Sequence, residues 1–474
     1  MALIALTLGE IAELISAQLV PAAAAELTVT GAVETDSRLI TPGSLFIAKP
    51  GEVTDGHNFV SAAKTAGAIA AIVEHAVSEP AEDALPQLVV ADSVVALGQL
   101  ATAVLERVRA HSSIKVIGVT GSNGKTTTKN MLRAILASVG PTVAPIESYN
   151  NEVGAPISIL KIDYDTRFLV AELGAGGVGS IAYLAQMLRP DIAVELKVGM
   201  AHAGKFGGIE TTAQIKAELL DYLAPSAVAV LNLDDSYVRQ MADKLTSNPV
   251  WFGTNPDADY RASDLAVTID GTSFEMHWPD GAHQSIVLQI LGEHHVMNAL
   301  ASLAVADQLG VDRNLAVRAV SHLPLAERWR MELHERSDGV TIINDAYNAS
   351  PDSTKAALQT LAQLGRQTGR RTIAVIGEMS ELGDYSATEH DAIGRLAVRL
   401  NLNQVVAVGI GAKPVHMGAT LEGSYDGESL FFDTMPEAEA AIRQMLRSGD
   451  IVLVKSSKSA NLRFLGDALL EVNA

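Results

Sequence analysis

Apolar positions along the chain arrive in two rhythms. Short continuous runs, Ile114-Lys-Val-Ile-Gly-Val119, Phe168-Leu-Val-Ala171, Asp191-Ile-Ala-Val194 and Ala227-Val-Ala-Val-Leu231, alternate with longer stretches of helical periodicity such as Lys125 to about Ser138. The same alternation returns around Val340–Ile343, Thr372–Ile376, Gln404–Val408 and Ile451–Val454. Strands buried on both faces and separated by helices predict mostly parallel sheets. Between about 262 and 291 the pattern changes to apolar/polar alternation, with turn signals at Asp270-Gly271 and Asp280-Gly281. That predicts antiparallel hairpins. Near the start, Thr7-Leu-Gly-Glu10 reads as a capping box opening a short helix, and Gly43–Ile47 as a short strand.

Two polar or proline-marked stretches, Arg107–Ser113 and the surroundings of Pro324, divide the pattern into blocks of residues 1–110, 111–325 and 326–474. The expected fold class is α/β. A small mixed N-terminal domain would precede a central, mostly parallel sheet of phosphate-loop ATPase type with appended hairpins. A doubly wound, Rossmann-like C-terminal domain would follow. With 48% apolar residues in 474, there is ample material for buried sheets. The chain has no cysteine, which excludes disulfides, thiolate metal sites and a cysteine nucleophile and makes cytoplasm the natural compartment. The apolar N-terminus lacks the basic start of a signal peptide, Glu10 and Glu13 interrupt it, and no stretch has the length to span a bilayer. A net charge of −20 argues against a nucleic-acid partner. Anionic substrates would have to be drawn by local sites against the overall field.

The candidate chemistry starts at Thr120-Gly-Ser-Asn-Gly-Lys125-Thr126. A triphosphate needs converging backbone N–H groups, a lysine to neutralise charge and a hydroxyl for magnesium. A strand, a Gly-rich loop and Lys-Thr at a helix start supply all three. Gly121, Ser122, Asn123, Gly124, Lys125, Thr126 and Thr127 are therefore the expected nucleotide-binding residues. Val119 stands where the commonest form of this loop has its first glycine. Glu172, at the end of the Phe168 strand, is the expected acid for magnesium, its bland reading being a solvated strand end. Gly174-Ala-Gly-Gly-Val-Gly179 also matches G-x-G-x-x-G, and Glu195 lies near the distance of a ribose-binding acid. A nicotinamide oxidoreductase would have to explain away Lys125-Thr126, whereas an ATP enzyme takes these glycines as a close turn. A binding protein that uses ATP as a switch is a third reading.

Thr120 to Thr128 resembles the ATP loop of the Mur ligases, and the resemblance extends through most of the chain. Asn150-Asn-Glu-Val-Gly154, Ala171-Glu-Leu-Gly174, Ala201-His202, Lys216-Ala-Glu218 and Asn232-Leu-Asp-Asp235 follow in the family's order. Asn344-Asp-Ala-Tyr-Asn-Ala-Ser-Pro-Asp-Ser353 and Gly377-Glu-Met-Ser-Glu-Leu-Gly383 resemble the branch that attaches a terminal dipeptide. The resemblance implies an ATP-dependent ligase that joins D-alanyl-D-alanine to UDP-N-acetylmuramoyl-tripeptide through an acyl phosphate. Other amide-forming members, tripeptide-forming or folate-glutamylating, are the near alternatives. It further implies Lys125 on the phosphates, Thr126, Glu172 and His202 on two Mg²⁺ ions, and a carbamylated Lys216 supporting the second ion. Without the family, His202 reads as a satisfied loop histidine and Lys216 as a helix-surface lysine. Asn232 and Asn298 would contact adenine. Ser37, Arg38, Asp55, His57 and Asn151 would face the UDP substrate. Asn344, Asp345, Tyr347 and Asn348 would face the dipeptide, with Arg330 near the phosphate chemistry. A monomer is expected. Lys197 and His295 stand where relatives usually show asparagine, Trp329 where glycine is common, and Lys49-Pro50 also departs from the usual residues.

Overall fold

The computed structural model describes residues 3–471 apart from 52, 78–83, 146–148, 202, 225, 324–327 and 424–427. His202 and Pro324 thus lie outside the described residues. Packing gathers the chain into two compact units. One comprises Met1–Thr120, Leu136–Val194 and Glu218–Ala229, the other Gly121–Ile135, Glu195–Ala217 and Val230–Ala474. Among the described residues no helix is long and apolar enough to cross a membrane.

In the first unit, the Thr7 capping box forms as its residue types dictate. Glu10 donates its N–H to the Thr7 hydroxyl at 3.1 Å, and its carboxylate accepts the Thr7 N–H at 2.9 Å. A five-stranded sheet follows, in the order Gln18–Val20, Gln87–Val89, Ala70–Val73, Leu45–Ile47 and Val33–Glu34, parallel except for its first pair. The helix Ser93–His111 is capped by Asp92, which accepts the N–H groups of Val94 and Val95. The polar residues from Arg107 are its last turn. There Arg107 donates to the Glu10 carboxylate at 3.1 Å and Arg109 to the Arg189 carbonyl at 2.8 Å. Strands Lys115–Thr120, Phe168–Glu172 and Thr142–Val143 run parallel, with Glu172 level with Val119.

In the second unit, Val230–Asn232 lies parallel to Val250–Phe252, and Phe252–Gly253 to Tyr260–Arg261. The expected hairpins then appear: Tyr260–Thr268, Gly271–His277 and His283–Leu288 are antiparallel. The first turn sits one residue earlier than its Asp-Gly signal. Thr268 pairs with Gly271, so Ile269-Asp270 makes the turn and Gly271 opens the next strand. Glycine is needed there because φ is +140° and a Cβ would strike the Leu288 carbonyl.

The C-terminal sheet has the order Glu332–Glu335, Thr341–Asp345, Ile451–Lys455, Thr372–Ile376, Gln404–Val408 and Ser429–Phe432. All its pairs are parallel except the first. Its two faces bury separate cores. Ile342, Ile373, Val375, Val452 and Val454 pack on one side; Ile343, Ala374, Ile376 and Leu453 pack on the other. A strand covered on both faces needs apolar residues at every position, which is why these runs are continuous in the sequence.

Candidate active site

The second unit contains the loop from Gly121 onward and, as far as Ile135, the helix Lys125–Ala137 that follows it. Two ties hold the loop to residues 197–199. Ser122 donates its N–H to the Lys197 carbonyl at 2.7 Å, and its hydroxyl accepts the Gly199 N–H at 2.8 Å. Gly124 has φ +87°, and a Cβ there would collide with the Asn298 carboxamide. Lys125 Nζ donates to the Gly121 carbonyl at 2.7 Å, which parks the ammonium across the mouth of the loop. Thr126 is buried at the helix start. A Gly-rich turn, a helix N-terminus and the Lys125 ammonium beside it are the groups that suit a bound anion.

The helix Pro351–Thr368 begins against this loop. Its capping residue Ser350 donates to Asn123 Oδ1 at 3.2 Å, and Asp352 accepts the Met200 N–H at 3.0 Å. Lys197 pairs with Asp352 at 3.5 Å, so the lysine that departs from the usual asparagine is a tie between the loop and this helix. A cleft of about 1020 Å³ opens between them, large enough for a nucleotide. Asn123, Gly124, Asn232 and Asn298 line one side, and Lys355, Gln359 and Arg366 the other. Asn232 is heavily committed. It donates to the Leu196 carbonyl at 2.7 Å and accepts the Asp234 N–H at 2.9 Å, bracing the cleft wall.

Lys216 is not a helix-surface lysine: only 3% of it is exposed. Burial pushes its ammonium pKa down and Lys125 adds repulsion, while Glu195 opposes both. Glu195 is fully buried, neither of its carboxylate oxygens has a hydrogen-bond partner, and burial raises its pKa.

The strand Thr341–Asp345 leads into the motif Asn344 to Asn348. Lys455, itself 3% exposed, holds that motif from below. It pairs with Asp345 at 2.8 Å and donates to the Asn348 carbonyl at 2.7 Å. Asn344 is turned inward, donating to the Arg463 carbonyl at 2.9 Å and to Asp467 at 3.2 Å. Asn348 is exposed and Tyr347 half-buried, with the Arg330 guanidinium 4.1 Å above the tyrosine ring and Lys458 Nζ 5.6 Å from it. Trp329 has φ +62°, a backbone region that favours glycine. Its indole N–H, donated to Asp467 at 3.0 Å, and its edge contact with Phe464 offset that strain. Lys455 and Lys458 escaped the sequence reading. The signal was present in Lys455-Ser-Ser-Lys-Ser459, directly after a buried strand.

Comparison with known proteins agrees with this geometry. Residues 119–306 match the Mur ligase middle domain, 329–458 the Mur ligase glutamate ligase domain and 30–104 the Mur ligase family catalytic domain. The UDP-N-acetylmuramoyl-tripeptide–D-alanyl-D-alanine ligase of Mycobacterium tuberculosis is 40% identical, over 99% of this chain and 98% of that protein. The chain belongs to the Mur ligase family. MurF from Acinetobacter baumannii has a similar crystal structure, with a TM-score of 0.88 and 30% identity over 99% of this chain and 100% of that one. MurF ligase from Thermotoga maritima, solved in complex with ADP, has a TM-score of 0.78 and 29% identity, covering 92% and 96%.

As a Mur ligase, the chain uses its G-x-G-x-x-G segment as a turn. The Glu218 carboxylate accepts the N–H groups of Gly179 at 2.7 Å and Ala182 at 2.9 Å, occupying the helix N-terminus where a dinucleotide would place its pyrophosphate. Glu172 is not a solvated strand end. It is buried, one oxygen accepts from Asn150 at 2.7 Å, and the other has no hydrogen-bond partner. Of the expected UDP-facing residues, Arg38 is exposed and Asp36 grips it at 2.6 Å, while Ser37 lies in the short helical turn Ser37–Leu39. His57 is buried between Asp55, whose carboxylate lies 2.6 Å from Nδ1, and the Glu74 N–H, which donates to Nε2 at 2.8 Å. Asn151 accepts the N–H of Gly154, the first residue of the helix Gly154–Ile159, at 2.9 Å.

The Gly377–Gly383 motif has its own anchor. Buried His390 accepts the Met379 N–H on Nε2 at 2.8 Å, and its Nδ1 lies 2.7 Å from the Ser386 carbonyl, so the ring is held neutral. Burial lowers its pKa despite the Ser386 carbonyl. The unfolded chain takes this proton first, so the stability from neutral His390 is full above about pH 6.5 and declines as pH falls below it. The melting temperature is expected to fall on acidification from about pH 7 to about 5, and less steeply in His390→Gln, whose carbonyl can still accept from Met379 without titrating. Equal slopes for the two proteins would remove His390 from this role.

Proposed function

We propose that this chain attaches D-alanyl-D-alanine to UDP-N-acetylmuramoyl-tripeptide, converting ATP to ADP and phosphate in peptidoglycan precursor synthesis. The observation that carries this reading is the placement of the Asn344–Asn348 motif and the Lys125 loop in one compact unit, tied by Ser350 to Asn123 and by Asp352 to Met200. An amine cannot displace the oxygen of a carboxylate, which is too poor a leaving group. The tripeptide carboxylate therefore attacks the γ-phosphorus, the bond to ADP breaks, and an acyl phosphate forms. The dipeptide amine then attacks the acyl carbon, loses a proton, and phosphate departs. Lys125, released from Gly121, neutralises the phosphates as two anions approach. Tyr347 and Asn348 hold the dipeptide, with Arg330 toward the transferring group. Contacts of the Pro351–Thr368 helix with the loop keep water from the acyl phosphate.

Thr126, Glu172 and His202 are the residues we assign to magnesium. The unpartnered buried oxygen of Glu172 suits a cation. Bound magnesium supplies charge neutralisation on the phosphate oxygens. Lys216 is the assigned carbamylation site, because a buried amine that sheds its proton easily is a nucleophile toward carbon dioxide. We assign residues 1–110 with Ser37, Arg38, Asp55 and His57, together with Asn151, to the UDP substrate, 111–325 to ATP and 326–474 to the dipeptide. A cytoplasmic monomer fits these substrates.

The test combines phosphate release with intact-product mass spectrometry over a panel of amine acceptors. The expected result is ADP formation stimulated by D-alanyl-D-alanine only when UDP-tripeptide is present. Stimulation by a single amino acid with a shorter UDP-peptide, or turnover indifferent to any amine, would overturn the assignment.

A further inference from the structure

The segment Lys455-Ser-Ser-Lys-Ser459 leaves the strand Ile451–Lys455 and is tied to both C-terminal motifs. Ser457 donates its hydroxyl to the Ala349 carbonyl at 3.3 Å and its N–H to the Glu378 carbonyl at 2.9 Å. The Ser380 N–H donates to the Ser457 hydroxyl at 2.8 Å, and the Ser380 and Ser459 hydroxyls lie 2.7 Å apart. Arg463 donates to the Lys458 carbonyl at 2.6 Å. The backbone of Lys458 is thus held on several sides, while its side chain is exposed.

Lys458 Nζ stands 5.6 Å from the centre of the Tyr347 ring, within the range at which a ring face attracts a cation. Among the described residues this ammonium has no hydrogen-bond or ion-pair partner, and neither the Tyr347 hydroxyl nor the Asn348 carboxamide has one. The cations around them are engaged. Lys455 pairs with Asp345 and Arg328 with Asp467, while Arg463 holds the Lys458 carbonyl and lies 4.4 Å from the Phe464 ring. An ammonium for a carboxylate and a carboxamide for a peptide unit are the groups that a short peptide needs.

A dipeptide acceptor must lose the charge on its amine before that nitrogen can attack carbon, but its carboxylate stays ionised. The anion arrives beside Asp345 and two other anionic substrates, so it needs a cation that is not already paired. Two residues of chain span at most about 7 Å, which keeps the carboxylate close to the motif that receives the amine. We propose that Lys458 binds the terminal carboxylate of the dipeptide and so restricts the acceptor to peptides with a free C-terminus. The inference rests on the dipeptide reading above and adds to it the group that selects the acid.

The experiment measures KM and kcat of the full chain at saturating ATP and UDP-tripeptide, with D-alanyl-D-alanine and with its C-terminal amide, D-alanyl-D-alaninamide. It compares the native sequence with Lys458→Met and Lys458→Arg. The native chain is expected to prefer the acid over the amide by about 10–100-fold in kcat/KM, the scale of one hydrogen bond to a charged group. Lys458→Met should raise KM for the acid by that factor, leave KM for ATP and kcat near native, and erase the preference. Lys458→Arg should keep most of it, because a guanidinium also pairs with a carboxylate. A native chain that uses acid and amide equally would overturn the role of Lys458 and leave the dipeptide reading intact; this comparison needs no variant. A Lys458→Met protein with the native preference, or one whose KM for ATP rises as much as that for the dipeptide, would overturn it as well. A native chain that turns over with neither acceptor overturns both.

Discussion

Replacing Lys125 with alanine is expected to lower kcat for ADP formation by about 10²–10³-fold, the range seen when one preorganised charge-stabilising group is removed from a closed site. The ammonium rests on the Gly121 carbonyl at the mouth of the loop and is only partly buried. The Lys125→Ala protein should therefore melt within about 1 kcal/mol of the native chain, as surface substitutions do. Phosphate release at saturating UDP-tripeptide and dipeptide is the measurement. A loss smaller than about tenfold would mean that the loop binds nucleotide without taking part in the transfer. Lys125→Arg should recover little, because the planar guanidinium does not fit a cradle shaped for a point charge.

The largest expected effect on stability lies at Lys455. This lysine is 3% exposed, pairs with Asp345 at 2.8 Å, and donates to the backbone carbonyls of Asp345 and Asn348. Replacing it with methionine keeps the stem but strands the Asp345 carboxylate in a site only 14% exposed. Breaking a buried pair from one side costs about 3–5 kcal/mol. In a unit of this size that lowers the melting temperature by about 5–9 °C. The double variant Lys455→Met/Asp345→Asn removes the stranded charge and should recover more than half of the loss. A single variant that melts like the native chain would show that the Asn344–Asn348 motif is held by other means. Activity should fall in both variants, since Tyr347 and Asn348 lose their support even where stability returns.

These two lysines mark the border between what the sequence discloses and what it withholds. Lys125 was legible because its job is local. A strand, a glycine turn and a helix N-terminus are consecutive in the chain, so the residues that build the phosphate cradle are neighbours in the sequence. The hairpins were legible for the same reason, since strand alternation and turn residues are short-range signals; the one-residue error at Gly271 arose because the Leu288 carbonyl, seventeen positions away, decides where the glycine must sit. The C-terminal sheet announced itself through continuous apolar runs, the direct consequence of being covered on both faces. Lys455 looked like the polar end of such a run, and only its placement beneath Asp345 gives it meaning.

Other residues changed their meaning in the same way. Asn344 and Asn232 read as ligand contacts, yet their carboxamides brace the helix Leu462–Ala468 and the cleft wall. Lys216 read as a helix-surface lysine when the family resemblance was set aside, and Glu172 as either a magnesium acid or a solvated strand end; both are buried. Gly174 to Gly179 carried a pattern of dinucleotide binding until Glu218 was found on the same helix N-terminus. By itself the sequence determined the α/β class, the phosphate loop and the kinship with the Mur ligases, because secondary structure and loop chemistry follow from neighbours along the chain. The tertiary structure alone decided which polar groups remain for ligands, because a hydrogen bond to a residue a hundred positions away consumes a donor or acceptor without leaving any trace in the local pattern.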